Sequence, residues 1–251
     1  MLASSLGILW AVHFVIGIQI SLAVSYQSFY GNLFSSKAAR IIVSSARLQM
    51  LWQWCAYTVA VCTFHLLEFF VTAICNPSTT TANSFLVNHS TAYTMAFLVS
   101  WTEFGLRFCF FPNWNVQFQW RVGLLVIISS QILRSLAMAT AGESFHHIIQ
   151  KHPSLRSSDA RSSHVLITHG IYRYLRHPSY VGFYYWSIGT QLLLGNFLST
   201  AAFAAASWMF FARRIPYEEG TLYQAYPEQY PEYAARTWVG IPFIKTRVKT
   251  Q

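Results

Sequence analysis

From residue 177 to residue 212 the chain runs for 36 positions without a single Asp, Glu, Lys or Arg. Positions 1–36 are equally uncharged, the first charge being Lys37, and 48–67 and 122–133 are further charge-free stretches. A helix crossing a bilayer needs about 20 predominantly apolar residues, so runs of this length have few other places to fold. Composition agrees, with 10% charged residues where a soluble domain carries about 25%. The fold class expected is an all-α polytopic membrane protein.

Six hydrophobic segments stand out, at roughly 3–30, 48–75, 83–102, 122–141, 178–194 and 197–212. The last two flank "LGNF", a Gly-Asn turn signal, and predict a tight helical hairpin over 178–212. Of the 17 Lys and Arg, 11 follow Ser144. By the positive-inside tendency, 142–177 and 213–251 are therefore assigned to the cytosol. The chain divides into N-terminal transmembrane helices (1–141) and a C-terminal catalytic region (142–251), with a cytosolic loop, the hairpin and a cytosolic tail. One crossing per segment leaves Lys37, Arg40 and Arg47 on the lumenal side, against that tendency. The expected number of crossings is thus six to eight.

Several function classes are set aside by the same reading. The formal charge of +9 is interleaved with Tyr, Pro and hydrophobic runs, which marks loops beside membrane spans and not a nucleic-acid surface. Cys55, Cys62, Cys75 and Cys109 are dispersed without C-x-x-C spacing, so neither a metal site nor a disulfide framework is expected. The N-terminus lacks a charged leader and an A-x-A cleavage site, and the first segment is expected to be a retained helix. Asn88-His89-Ser90 is a glycosylation sequon expected to face the cytosol and stay bare.

Two clusters could carry chemistry. His164, His169, Tyr172, Arg173, Arg176, His177 and Tyr180 crowd a membrane boundary, where basic groups beside a helix N-terminus suit an anionic or highly polar ligand. The plainer alternative for Arg176-His177-Pro178 is an interfacial base followed by proline opening a helix. "RRIPYEEG", residues 213–220, places two of the eight acidic residues side by side at the exit of the last hydrophobic segment. Its plainer alternative is a snorkelling Arg pair with a solvated Glu pair, Arg214 bridging Glu218 at i, i+4. That Arg-before-Glu order is the poorer one, and Pro216 is expected to break the i, i+4 geometry. His65, Glu68, Glu103, Arg107 and Arg134 lie in or beside hydrophobic segments, as functional groups or as helix-to-helix polar pairs.

"ESFHHIIQ", "HVLITHGIYRYLRHPSYVGFYYWSIGTQLLLGN", "RRIPYEEGTLYQAYPEQYPEY" and "VGIPFI" together resemble the isoprenylcysteine carboxyl methyltransferase family, in unbroken order over about 140–244. Upstream, "CTFHLLEFFVTAICNP" and "SFLVNHSTAYT" are similar to the family's membrane half. The resemblance implies a multi-pass enzyme of the endoplasmic reticulum membrane with its active site facing the cytosol. It would transfer methyl from S-adenosylmethionine, leaving S-adenosylhomocysteine. The acceptor would be the carboxylate of a C-terminal farnesyl- or geranylgeranyl-cysteine, as in processed C-a-a-X proteins such as small GTPases. Position by position, it implies that Gln150, His164, Val165, Leu166, Ile167, Tyr172, His177, Pro178, Ser179, Tyr180 and Glu218 line the cofactor. Arg214 takes the substrate position and the catalytic role. No metal is implied. The loop "SLRSSDARSS" is longer than the family's usual link, and Pro216 replaces a typically acidic position.

The chemistry would be economical. A cysteine α-carboxylate, with a pKa of about 3.5, is already ionised at neutral pH, so no general base is required. Arg214 would orient it with its planar fork, and Tyr172 or Tyr180 could flank the sulfonium. A membrane sterol or steroid reductase using NADPH is compatible with the "RHPSY" run. A phospholipid N-methyltransferase would need an amine acceptor, which Arg214 suits less well, and a non-enzymatic scaffold or transporter leaves the C-terminal polar cluster unexplained.

Overall fold

A computed structural model describes residues 37–86, 91–114, 118–145 and 165–244. The described residues form a helical bundle of α1 (Lys37–Cys75), α2 (Thr91–Phe110), α3 (Gln119–Ala141), α4 (Pro178–Leu194) and α5 (Phe197–Ala225), followed by the short α6 (Gln229–Arg236). The segment expected at 3–30, the sequon and the long loop containing Gln150 and His164 lie outside the described residues. By length and composition, Ser45–Cys75 and Gln119–Ser144 are suited to crossing a bilayer.

Three boundaries differ from the sequence expectation. Residues 37–47, between two expected segments, are the first turns of the 39-residue α1, which carries Lys37, Arg40 and Arg47. At 1.5 Å per residue that helix is about 58 Å long, so it outreaches a bilayer core of about 30 Å. The segment expected at 83–102 is shifted: a short 3-10 turn at Ala82–Phe85 precedes α2, which runs on to Phe110. Thr81 and Ser84 cap the start of that turn reciprocally, and Leu86, with a left-handed φ of 54°, ends it. Finally, α5 does not end near 212 or break at Pro216, but continues to Ala225. Proline removes one backbone bond, yet Phe211, Ile215 and Glu219, one turn apart, are all buried and tie both halves to the rest of the protein.

Polarity in the bundle is inverted relative to a water-soluble protein. Leu48, Val59, Ile74 and Leu125 are among the exposed side chains, whereas Gln53, Glu68, Ser100, Arg107, Arg134 and Gln191 are buried. A bilayer solvates the former, and of the latter Glu68 pairs with Arg134, Ser100 with Gln191, and Arg107 with backbone carbonyls. Glycines make α3 and α4 nearly touch. A Cβ at Gly123 would stand 2.3 Å from the Leu193 amide nitrogen, and one at Gly182 would stand 2.7 Å from the Cβ of Arg134. This close crossing sets the depth of α4, and with it the height of the RHPSY segment.

The predicted hairpin is present, and its far end is locked by α2. Gly195, with φ 76°, makes the turn. The Asn196 side chain donates to the Ser100 carbonyl (2.9 Å) and Arg107 Nη1 to the Leu194 carbonyl (3.0 Å). The Glu103 carboxylate accepts from the Leu198 and Ser199 amides at 2.9 and 2.7 Å, satisfying the first turn of α5. Glu103 and Arg107 are thereby helix-pairing groups, one of the two readings the sequence left open.

Candidate active site

At the opposite end of the hairpin, Pro178 opens α4 at its first helical position, with His177 as the N-cap residue. Starting the helix here places Ser179 and Tyr180 on its first turn, with Tyr180 facing the distal half of α5. The Tyr180 hydroxyl accepts from Arg214 Nε at 2.9 Å and donates to Glu218 Oε2 at 2.5 Å. One phenol therefore joins the guanidinium and the carboxylate that straddle Pro216. The guanidinium carbon lies 5.3 Å from the Tyr180 ring centre and 5.7 Å from that of Phe210, within cation–ring attraction of both. The His177 imidazole lies parallel to the Tyr180 ring, 5.4 Å away and tilted by 1°.

Behind this face is a buried ionic cluster. Glu219 Oε1 accepts from Arg176 Nε at 2.8 Å and lies 3.2 Å from His177 Nε2. Burial pushes the Glu219 carboxyl up, but the hydrogen bond and charge of His177 and the Arg176 guanidinium outweigh it, holding it below its ordinary value. Arg176 Nη1 also donates to the carbonyls of Ala234 (2.9 Å) and Thr237. The backbone joins in: the Arg176 amide donates to the Trp238 carbonyl at 2.8 Å, and the Trp238 amide to the Tyr174 carbonyl at 3.0 Å. The C-terminal tail is thus bound directly to the segment that opens α4. The plainer alternative of a solvated Glu pair does not hold, since Glu219 is 3% exposed and ion-paired.

A second buried ion pair supports the site from below. Arg134 on α3 donates through Nε and Nη2 to the two oxygens of Glu68 on α1, at 2.5 and 2.8 Å. Its Nη1 donates to the Ser179 carbonyl at 2.9 Å. Phe64 and Phe183 flank the guanidinium, their ring centres 5.4 and 5.5 Å from it. Arg134 therefore couples the membrane helices to the first turn of α4.

Of the other sequence-predicted residues, Pro178 and Ser179 are buried in that first turn. Val165 is exposed and Ile167 half-buried, while Leu166 packs against Tyr230, Tyr233 and Ala234 of α6. The Tyr172 carbonyl accepts from the Tyr233 hydroxyl at 2.8 Å. Burial, reinforced by Tyr233 and Glu218, pushes the Tyr172 phenol well above its ordinary value, so it is a neutral hydrogen-bond donor at neutral pH. From the sequence, Arg176 is only a member of the basic cluster and Glu219 only half of an acidic pair, while the Arg134–Glu68 pair is the helix-to-helix pairing that was one of two readings. The 211-215-219 spacing of one helical face was the available sign that Glu219, unlike Glu218, turns inward.

The isoprenylcysteine carboxyl methyltransferase (ICMT) family matches residues 121–224, which run from α3 through most of α5. A protein-S-isoprenylcysteine O-methyltransferase of Dictyostelium discoideum is 42% identical over 188 residues, covering 75% of this chain and 76% of the relative. The Xenopus laevis protein of the same name is 41% identical over 220 residues, covering 87% and 72%. A solved structure of the eukaryotic intramembrane Ras methyltransferase ICMT superposes with a TM-score of 0.74 at 35% identity, over 95% of this chain and 87% of that one. Sequence similarity continuous across the hairpin, and a shared fold over nearly the whole length, lead to one conclusion: this chain belongs to the isoprenylcysteine carboxyl methyltransferase family.

Proposed function

We propose that this chain is a membrane methyltransferase that esterifies the C-terminal carboxylate of prenylated cysteine, drawing the methyl group from S-adenosylmethionine. Its acceptors would be processed C-a-a-X proteins, small GTPases among them, carrying farnesyl or geranylgeranyl chains. The membrane would be that of the endoplasmic reticulum, with the site open to the cytosol. The observation that carries this reading is the Tyr180 hydroxyl between Arg214 and Glu218. It sets a guanidinium suited to an anion beside a carboxylate suited to a cation, at the mouth of an uncharged helical hairpin.

The residues present fit the cofactor's chemistry. The Glu218 carboxylate is half-buried and can accept from amino or hydroxyl groups. Tyr172 is the aromatic ring proposed to flank a sulfonium, because the Tyr180 ring already packs against His177, Phe211 and the Arg214 guanidinium. S-adenosylmethionine, when bound, supplies an electrophilic methyl group. The chain's own work is then positional. Arg214, with Nε held by Tyr180, presents its planar fork to the acceptor carboxylate. That carboxylate is already ionised, so no side chain has to take a proton. His177, stacked on Tyr180 and held by Glu219, keeps the ring from rotating out of place. The prenyl chain stays among apolar side chains or lipid, at about 0.8 kcal/mol per buried CH₂.

Purified protein, radiolabelled S-adenosylmethionine and a small farnesylcysteine acceptor test the proposal. Base-labile methyl incorporation into the acceptor is expected, with little into a cysteine derivative lacking the prenyl group. Equal turnover of the two, or protection of the protein by NADPH and not by S-adenosylmethionine, would overturn it.

A further inference from the structure

The tail segment 239–244 carries a feature that the methyl-transfer chemistry does not use. Val239 and Ile241 are buried against Val181, Tyr184, Phe211 and Ile215, and Ile244 packs on the same cluster. Between them, Phe243 is 89% exposed and adopts a left-handed backbone with φ 62°. A bulky apolar residue is disfavoured there twice in water, by backbone sterics and by the exposed ring, where glycine or asparagine would relieve both. Something other than water has to favour the ring.

Its height in the fold says what. The Trp208 indole donates to the Pro242 carbonyl at 2.8 Å, so the turn is fastened to α5 at Trp208. Trp208 lies five residues inside the charge-free run that ends before Arg213, roughly 8 Å toward the bilayer at 1.5 Å per residue. Met209 and Phe210 beside it are half exposed and continue the apolar surface of the helix. Trp238, 78% exposed, stands at the other end of the segment, where its backbone pairs with Arg176. Aromatic rings at the headgroup level are the usual interfacial anchors of membrane proteins.

We infer that the Pro242–Phe243 turn is an interfacial membrane anchor, with Phe243, assisted by Trp238, inserted at the headgroup–acyl boundary of the leaflet from which α5 emerges. The partner is the lipid surface itself. Lipid at Phe243 then adds to the protein contacts that already hold the tail, at Trp208, in the cluster around Val239 and Ile241, and at Arg176, so the bilayer braces the segment bound to the entry of α4. This inference does not depend on which acceptor is methylated.

The test uses full-length protein in phospholipid nanodiscs. With the four native cysteines changed to serine, Phe243→Cys is labelled with an environment-sensitive fluorophore. Nitroxide lipids bearing the label near the top of the acyl chain are expected to quench it at least threefold more than the same label at exposed Glu228→Cys. Aqueous iodide should quench Phe243→Cys correspondingly less. A second variant, Phe243→Trp in the native-cysteine background, adds a tryptophan whose emission, taken by difference, brominated lipids should quench more than soluble acrylamide does. Iodide or acrylamide access at position 243 equal to that at position 228 would overturn the anchor.

Discussion

Arg176 and Glu219, 43 residues apart, meet at 2.8 Å in a site where both side chains are almost wholly buried. The pair joins the entry of α4 to the distal part of α5, and Arg176 carries the contact on to the carbonyls of Ala234 and Thr237. Removing one partner strands a buried charge, which typically costs about 3–5 kcal/mol. Glu219→Gln is therefore expected to lower the melting temperature in detergent markedly. Glu218→Gln, at a half-buried position, should leave it within a few degrees. Equal melting temperatures for the two would show that Glu219 holds no structural charge.

The same pair sets an acid limit. Because the folded Glu219 carboxyl lies below its ordinary value of 4.5, its stabilising contribution is complete above that value and is lost as pH falls through the lower folded value. Thermal melts from pH 7 downward should show wild-type protein losing stability below about pH 4.5 more steeply than Glu219→Gln does. Parallel pH profiles would contradict this.

Arg214 and Glu218 are expected to separate kinetically although one hydroxyl joins them. Arg214→Lys keeps the charge and loses the planar fork, so methyl transfer should fall at least roughly tenfold at saturating acceptor while cofactor affinity holds. Glu218→Gln should weaken cofactor affinity directly. Tyr180→Phe removes the shared hydroxyl and should affect both measures. Calorimetry for affinity and radiometric turnover decide the matter, and near-normal turnover in all three would remove Arg214 from the proposed site.

Arg134 offers a test that distinguishes packing from positioning. Arg134→Met alone leaves Glu68 buried without its cation and should cost about 3–5 kcal/mol. The double variant Arg134→Met, Glu68→Leu should recover much of the melting temperature, because an apolar pair of similar volume is tolerated. Turnover should not recover, since the Ser179 carbonyl loses its 2.9 Å donor and the first turn of α4 its brace. Full recovery of both would make Arg134 a packing element only.

The α3–α4 crossing predicts opposite outcomes for two Gly→Ala changes. At position 123 the new methyl would stand 2.3 Å from the Leu193 backbone, forcing the helices apart at a cost of about 1–3 kcal/mol. At position 220 nothing lies within 4 Å, and alanine in a helix interior should add about 0.5–1 kcal/mol. Melting temperatures in one detergent check both signs.

Charge-free runs, the Gly-Asn turn and the basic C-terminal half determined on their own that the chain is helical, membrane-bound and hinged at residues 194–197. These are properties of local composition, and a bilayer reads them directly. The start of α4 at Pro178 was equally legible, because proline at a first helical turn is a backbone property. The path of α5 through Pro216 was not. Its continuity depends on Ile215 and Glu219 finding partners on α4 and beside Arg176, contacts made across more than 30 residues. Choosing between Glu218 and Glu219 depended on the same continuity: the 211-215-219 spacing puts Glu219 on the inner face only if α5 runs unbroken through Pro216, which packing decides. Glu219 turns inward to a buried guanidinium, and Glu218 reaches the Tyr180 hydroxyl at the site. Buried charge in a membrane fold is settled by its partner's position, and partners distant in sequence are brought together only when the helices pack.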